Sequence, residues 1–291
     1  MWRSGTLSAG ESRTLAWSQG GSGPDLVLLH GALATQHDWL AGPAGALSAR
    51  HRVTVLDRPG HGGSRRPRFA GTPRDQARQI VQGLTGLGVG RAIVAAHSFG
   101  ALVALAMAEQ FADRVAGLVL VAPLAFPEPR PIEHLLLAPR ALPLAGPLFS
   151  WIAGRTRVER GLLEYVQRDM FSPAPVPAAW KETFPYDQVS DSMIFEGEDA
   201  AATLPLSPAG TIDLSRVAAP AHVLTGTLDR IVQHERQGKV LARLLQHCRL
   251  TEVEGAGHML HHSHPERLVA AVEGLTESQG WRGRLGEVAE G

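Results

Sequence analysis

The chain has 291 residues, of which 44% are hydrophobic, enough for one large α/β domain or two smaller ones. Lysine plus arginine and aspartate plus glutamate each number 28, so the formal net charge is zero and gives no electrostatic sign of a nucleic-acid partner. The single cysteine, Cys248, rules out an internal disulfide, and no long apolar run predicts a signal peptide or a membrane span, so we expect a cytoplasmic protein.

Two short apolar runs near the start of the chain have the character of buried strands. Residues 26–29 end in the turn His30-Gly31-Ala32, and residues 53–56 end in a glycine-containing turn at residues 57–64. Strands and helices then alternate through the first half of the chain. This alternation predicts a mostly parallel sheet covered by helices on both faces.

Ser98 stands between a third buried strand, residues 93–96, and a buried helix that begins after Gly100. A serine at such a sharp turn exposes its hydroxyl only if the residues two before and two after it are small, and Ala96 and Gly100 satisfy that demand. The turn also leaves the Phe99 N–H at the positive end of the helix dipole, where an oxyanion could be held. The alternative is a serine that merely caps the helix.

Taken in order, these three turns resemble those of the α/β-hydrolase superfamily. Its members often carry an H-G turn after one strand, a D-x-P-G-x-G-x-S turn after the next and a nucleophile elbow after a third; here these are residues 30–31, 57–64 and 96–100. The resemblance extends over nearly the whole chain. It implies the α/β-hydrolase fold with a serine nucleophile.

In this family the catalytic residues occur along the chain in the order serine, acid, histidine, so an acid and then a histidine should follow late strands in the C-terminal part of the chain. Residues 221–224 are strand-like and lead to Asp229, while residues 249–253 alternate as a half-buried strand should and lead to His258. We therefore predict Ser98, Asp229 and His258 as the catalytic residues. A histidine can take and return the serine proton near neutral pH, and an aspartate fixes its tautomer.

The resemblance also implies where a substrate would lie. The backbone N–H groups of Ala32 and Phe99 would form the oxyanion hole. By family position, Leu33, Leu124 and Met259 would lie at the rim of the substrate pocket.

Four histidines close together in the sequence, His258, His261, His262 and His264, raise the alternative of a metal site. No cysteine or carboxylate pattern completes such a site, and Pro265 indicates that a helix begins there. We predict neither a metal nor a cofactor.

The alternation of strands and helices breaks at Pro123. Residues 123–208 hold 13 of the 20 prolines, and the regular pattern resumes near Leu214. An insertion at this point, after strand 6, is similar to the helical cap of many α/β-hydrolases. We therefore predict a core domain of residues 1–123 and 213–291 and a cap of residues 124–212. Most of the large apolar residues of this segment are expected to be cap core, and a minority to be pocket wall; they include Leu135, Leu136, Leu137, Leu144, Phe149, Trp151, Met170 and Phe171.

A serine nucleophile favours acyl transfer to water through an acyl-enzyme. We predict a carboxylic-ester hydrolase of the EC 3.1.1 type, acting on a small-molecule ester with a medium-sized, mainly apolar acyl group. Three alternatives stay open. They are hydrolytic C–C cleavage of vinylogous diketones, perhydrolase or cofactor-free haloperoxidase-like activity, and a non-catalytic relative that binds a ligand or a protein partner.

Overall fold

The computed structural model describes residues 1–128, 134–135, 137–154, 157–204, 207 and 210–280. Within these ranges, no helix combines the length and the apolar character that a membrane crossing needs.

Eight strands form one sheet in the order β1-β2-β4-β3-β5-β6-β7-β8. The strands are β1 (Arg3–Ser8), β2 (Thr14–Gly20), β3 (Asp25–Leu29), β4 (Arg52–Leu56), β5 (Ala92–His97), β6 (Val115–Val121), β7 (Ala221–Gly226) and β8 (Cys248–Val253). The first two join the sheet antiparallel, and all later pairings are parallel. The mostly parallel sheet expected from the sequence is confirmed.

The described α-helices fall into three groups along the chain. Those before β6 are α1 (His37–Leu40), α2 (Ala44–Leu47), α3 (Pro73–Gly86) and α4 (Phe99–Gln110). Between β6 and β7 lie α5 (Ala145–Gly154), α6 (Arg157–Phe171), α7 (Ala178–Glu182) and α8 (Tyr186–Ala202), and after β7 lie α9 (Gly238–Leu244), α10 (Leu260–Ser263) and α11 (Pro265–Ser278).

The central strands are apolar without interruption because helices cover both faces of the sheet. Successive residues of β3 point to opposite faces, so Val27 packs with α3 and α4 while Leu28 packs with α11. At the start of α3, Thr72 caps the helix by accepting a 3.2 Å hydrogen bond from the Asp75 N–H.

The segment between β6 and β7 is helical in its described parts, while its division from the core at residues 123/124 and 212/213 stays a prediction. For the eight apolar residues named from the sequence, the expectation that most are buried is wrong. Leu137, Met170 and Phe171 are buried, but Leu135, Leu144, Phe149 and Trp151 are exposed. Leu136 lies outside the described residues. A hydrophobic pattern indicates that a residue prefers an apolar environment, and it does not say which surface supplies it.

Candidate active site

Ser98 occupies a strained turn between β5 and α4. Its backbone has φ 52° and ψ −120°, an unfavourable combination for a residue with a side chain. A Cβ on Gly100 would lie 2.6 Å from the His30 carbonyl oxygen, so only glycine fits two positions after the serine. The Ser98 N–H donates to the Val121 carbonyl at 3.0 Å, and this bond ties the turn to β6.

Asp229 and His258 lie together beyond the ends of β7 and β8. His258 Nδ1 is 2.8 Å from Asp229 Oδ2, and both side chains are about 1% exposed. The other carboxylate oxygen accepts the N–H groups of Ile231 and Val232 at 2.8 and 2.9 Å, so the carboxylate has a fixed orientation. Because a carboxylate can only accept, the neutral His258 ring carries its proton on Nδ1 and keeps Nε2 as a base.

His97 connects this pair to the turn at Ser98. Its Nε2 donates to the His258 carbonyl at 3.2 Å, and the centroids of the two rings are 4.6 Å apart. Burial lowers the pKa of His97 well below its usual value, so its ring is neutral. The residue before Ser98 is therefore hydrogen-bonded to the backbone of His258, which brings the β5 and β8 ends together.

The predicted oxyanion donors lie on the two backbone segments that meet at the elbow. A Cβ on Gly31 would lie 3.0 Å from the Ser98 Cβ, so the turn that contains Ala32 is packed against the serine. Phe99 is the first residue of α4, where an N–H has no acceptor within the helix.

The three predicted rim residues occupy two different environments. Leu33 and Met259 pack in one apolar cluster with Phe171 of α6 and Trp180 of α7. Leu124 is only 1% exposed and packs in the main core beneath α4, where its N–H donates to the Ser98 carbonyl at 3.2 Å. Their contacts with a substrate stay predictions.

The helices between β6 and β7 cover the candidate site. Ser98 is 5% exposed. The Met259 N–H donates to the Met170 carbonyl of α6 at 3.2 Å, and a Cβ on Gly257 would collide with the Ser172 carbonyl. The loop that carries His258 is therefore held from above by the end of α6.

Glu196 of α8, which the sequence analysis missed, holds the backbone beside the predicted oxyanion donor. Its Oε1 accepts the Leu33 N–H at 2.7 Å, and Leu33 has a φ of 54°. The Glu196 side chain is about 1% exposed. No motif marks this residue, because the contact joins positions 163 residues apart.

The surroundings of Glu196 favour its protonated form. Burial raises its pKa to about 7, although the guanidinium groups of Arg58 and Arg66 oppose that change. Burial also lowers the pKa of His61 to about 3, so this ring is neutral. His61 Nδ1 donates to the Pro59 carbonyl at 3.2 Å, which leaves its Nε2 as an acceptor 3.2 Å from Glu196 Oε1. A proton on that oxygen can be donated to Nε2, which Arg58 Nη2 also approaches at 3.5 Å, and the same oxygen still accepts from Leu33.

Three groups of histidine and carboxylate side chains in the described part of the chain have the spacing of metal ligands. In the first, His61, Glu196 and Asp199 lie close together. Arg58 donates to Asp199 at 2.6 Å, so its guanidinium already neutralises the carboxylate that a metal ion would bind.

The second group explains part of the histidine cluster seen in the sequence. Asp38 lies with His97 and His261, and it accepts from His261 at 3.2 Å and from His262 at 2.8 Å. His261 and His262 therefore both hydrogen-bond to the buried carboxylate of Asp38. His264 Nδ1 lies 2.9 Å from the hydroxyl of Ser263.

The third group, His234 with Glu235 and Glu252, lies near the surface, where Lys239 pairs with both glutamates at 2.8 Å.

Comparisons with known proteins agree with the fold. The model of a family described as the alpha/beta hydrolase family matches residues 26–271. The magnesium-chelatase 30 kDa subunit of Rhodobacter capsulatus is 32% identical over 251 residues, which cover 82% of this chain and 82% of that protein.

A shorter match and a solved structure add to this. The pimeloyl-[acyl-carrier protein] methyl ester esterase of Vibrio atlanticus is 40% identical over 111 residues, or 38% of this chain, and the chain spans only 41% of that relative's length. The crystal structure of a hydrolase from Pseudomonas aeruginosa superposes with a TM-score of 0.76 at 22% identity, covering 94% of this chain and 97% of that one. The family model matches most of the chain, and the eight-stranded, mostly parallel sheet agrees with it, so the chain belongs to the alpha/beta hydrolase family.

Proposed function

We propose that this protein is a serine hydrolase that cleaves carboxylic esters through an acyl-enzyme. The observation that most supports it is the 2.8 Å contact between His258 and Asp229, held against the turn that carries Ser98. A serine hydroxyl is a weak nucleophile at neutral pH and needs such a base.

Each group has a definite part in the proposed reaction. His258 Nε2 takes the Ser98 proton as the hydroxyl attacks the ester carbonyl, and it then gives that proton to the leaving alcohol. Water, activated by the same ring, hydrolyses the acyl-enzyme. The N–H groups of Ala32 and Phe99 hold the oxyanion; losing one such donor typically costs about 2.7–4 kcal/mol of transition-state stabilisation.

The apolar cluster beside the loop that carries His258 favours an apolar acyl group. Leu33 and Met259 reach this cluster from the core, and Phe171 and Trp180 of the helices above and Phe184 of the loop after α7 complete it. The partial relative from Vibrio atlanticus is named as an esterase, which favours an ester over the other substrates.

The test combines covalent labelling with activity on two substrate panels. A fluorophosphonate should label Ser98, as mapped by mass spectrometry, and p-nitrophenyl esters of increasing chain length should be hydrolysed. His258→Gln should abolish both reactions, whereas His264→Gln, which changes a histidine six residues away, should leave them intact. Labelling at another residue would overturn the site assignment. Activity on vinylogous diketones without ester hydrolysis would overturn the ester class.

A further inference from the structure

The protein exposes an unusual concentration of large apolar side chains in one segment. Seven of them lie within residues 135–152, with exposures between 46% and 91%: Leu135, Leu142, Leu144, Leu148, Phe149, Trp151 and Ile152. Elsewhere in the described chain the large exposed apolar residues are scattered, as is usual on a protein surface.

Helix α5 is the centre of this surface. Its ten residues, AGPLFSWIAG, include no charged side chain, and Gly146 alone is buried among those whose exposure is described. A Cβ on Gly146 would collide with the Arg140 carbonyl, so this side of the helix packs directly on the backbone at Arg140. A helix that is apolar nearly all round belongs in an apolar environment.

The exposed positions also cover a wide part of the helix circumference. At about 100° per residue, residues 144, 145, 147, 148, 149, 151 and 152 span an arc of roughly 200°. A protein partner or a second copy of this chain would present a surface to one side of such a helix. A lipid surface can close around the whole arc, because acyl chains rearrange to fit it.

The charge of the same segment is complementary to anionic lipid. Residues 134–158 contain no acidic residue, and Arg155 and Arg157 follow α5 directly in the sequence, although the whole chain has no net charge. The third arginine of this segment, Arg140, is buried and pairs with Glu159 at 3.0 Å, so it adds no charge to the surface. Trp151, which is 56% exposed, is a residue that favours the boundary between headgroups and acyl chains.

We propose that this apolar surface, residues 135–152, docks the protein on a phospholipid bilayer that contains anionic lipid. Helix α5, about 15 Å long, lies in the plane of the interface with its exposed arc among the headgroups and upper acyl chains. On its inner side the same segment reaches the candidate site, since Leu137 packs in a buried cluster against Leu33. Docking therefore places the segment that borders that site next to the lipid phase.

Flotation with vesicles of phosphatidylcholine and a minority of phosphatidylglycerol tests the proposal on the whole protein. The wild type should float with the vesicles, and Leu148→Glu should lower the bound fraction at least fivefold. Leu244→Glu is the matched control, because Leu244 is also a helical leucine and is 54% exposed against 59% for Leu148. It should bind as the wild type does. Thermal denaturation of both variants checks that they are folded.

Three results would overturn the proposal. The wild type could stay with the soluble fraction, or both leucine variants could lose binding equally. The protein could also form a dimer without lipid, seen by light scattering, that Leu148→Glu dissociates; in that case the surface would bind a second copy.

Discussion

Replacing Glu196 with glutamine should make the protein less sensitive to alkaline pH. In the folded protein the Glu196 carboxyl is buried, accepts the Leu33 N–H and faces the acceptor nitrogen of His61. Raising the pH removes its proton and places a negative charge where burial disfavours one. Glutamine has the same shape and cannot ionise, so the folded state of the variant does not bear this cost.

The size of the effect follows from the pKa of this carboxyl in the two states. Burial raises the pKa of Glu196 from 4.5, its value in an unfolded chain, to about 7. The folded state therefore holds the proton more tightly, and stability is highest below the unfolded value and falls as the pH rises through the folded one. At about 1.36 kcal/mol per pH unit of this gap, the total is about 3 kcal/mol, of which about 2 kcal/mol is lost between about pH 5.5 and about pH 8.5.

Urea unfolding of the wild type and Glu196→Gln at these two pH values measures the change directly. The free energy of unfolding of the variant, relative to the wild type, should rise by about 2 kcal/mol from the lower to the higher pH. Other groups titrate in both proteins and cancel in the difference. At the lower pH we expect the variant to be less stable by about 1 kcal/mol, because its amide cannot both accept from Leu33 and donate to His61 through one atom. If this difference in unfolding free energy does not change with pH, or shifts in favour of the wild type as the pH rises, Glu196 is not protonated in the folded protein.

The other predictions concern the proposed catalytic pair, a buried carboxylate and the elbow. Asp229→Asn should keep the fold and lower kcat for ester hydrolysis by about four orders of magnitude, because the amide favours the wrong tautomer of its histidine partner. Burial by itself raises the pKa of Asp38, but the imidazole of His261 and that of the next residue bring it well below its usual value. Asp38→Asn should therefore cost about 1–3 kcal/mol of unfolding free energy near neutral pH and progressively less as the pH falls below about 4. Gly100→Ala should destabilise the protein by about 1–3 kcal/mol, because the added Cβ would meet two backbone carbonyls, whereas Gly161→Ala in α6, which meets nothing within 4 Å, should stabilise it slightly; differential scanning calorimetry compares the two.

The features that could be predicted from the sequence are those that short stretches of chain determine. The predicted strands at residues 26–29, 53–56 and 93–96 lie within β3, β4 and β5, because a strand covered on both faces must be apolar throughout. The turn at Ser98 was predictable for a similar reason: its geometry restricts the neighbouring residue types, and the contact between Gly100 and the His30 carbonyl shows how strict the restriction is.

The contacts between the inserted helices and the core could not be predicted in this way. Arg58 and Asp199 are 141 residues apart in the sequence and meet at 2.6 Å with almost no exposure, and Glu198 pairs with both Arg66 and Arg68. A charged residue on a helix is most often on a solvated surface, so each of these residues alone gives no sign that it is buried. The contacts exist because α8 lies across the two glycine-containing turns, and only the folded chain shows that.

Helices α8 and α5 of the inserted segment have opposite composition and opposite exposure. Helix α8 is rich in polar residues and yet buries Glu196 and Asp199 against the core, where each has partners. Helix α5 is apolar and yet exposed, and Gly146 and Phe149 pack it on Arg140 of the same inserted segment, with the Arg140 guanidinium 4.9 Å from the Phe149 ring. The polar helix therefore fixes the backbone next to the candidate oxyanion hole. The apolar one is left available for an environment outside the protein, so a change that weakens its lipid contact should leave the geometry at Leu33 intact.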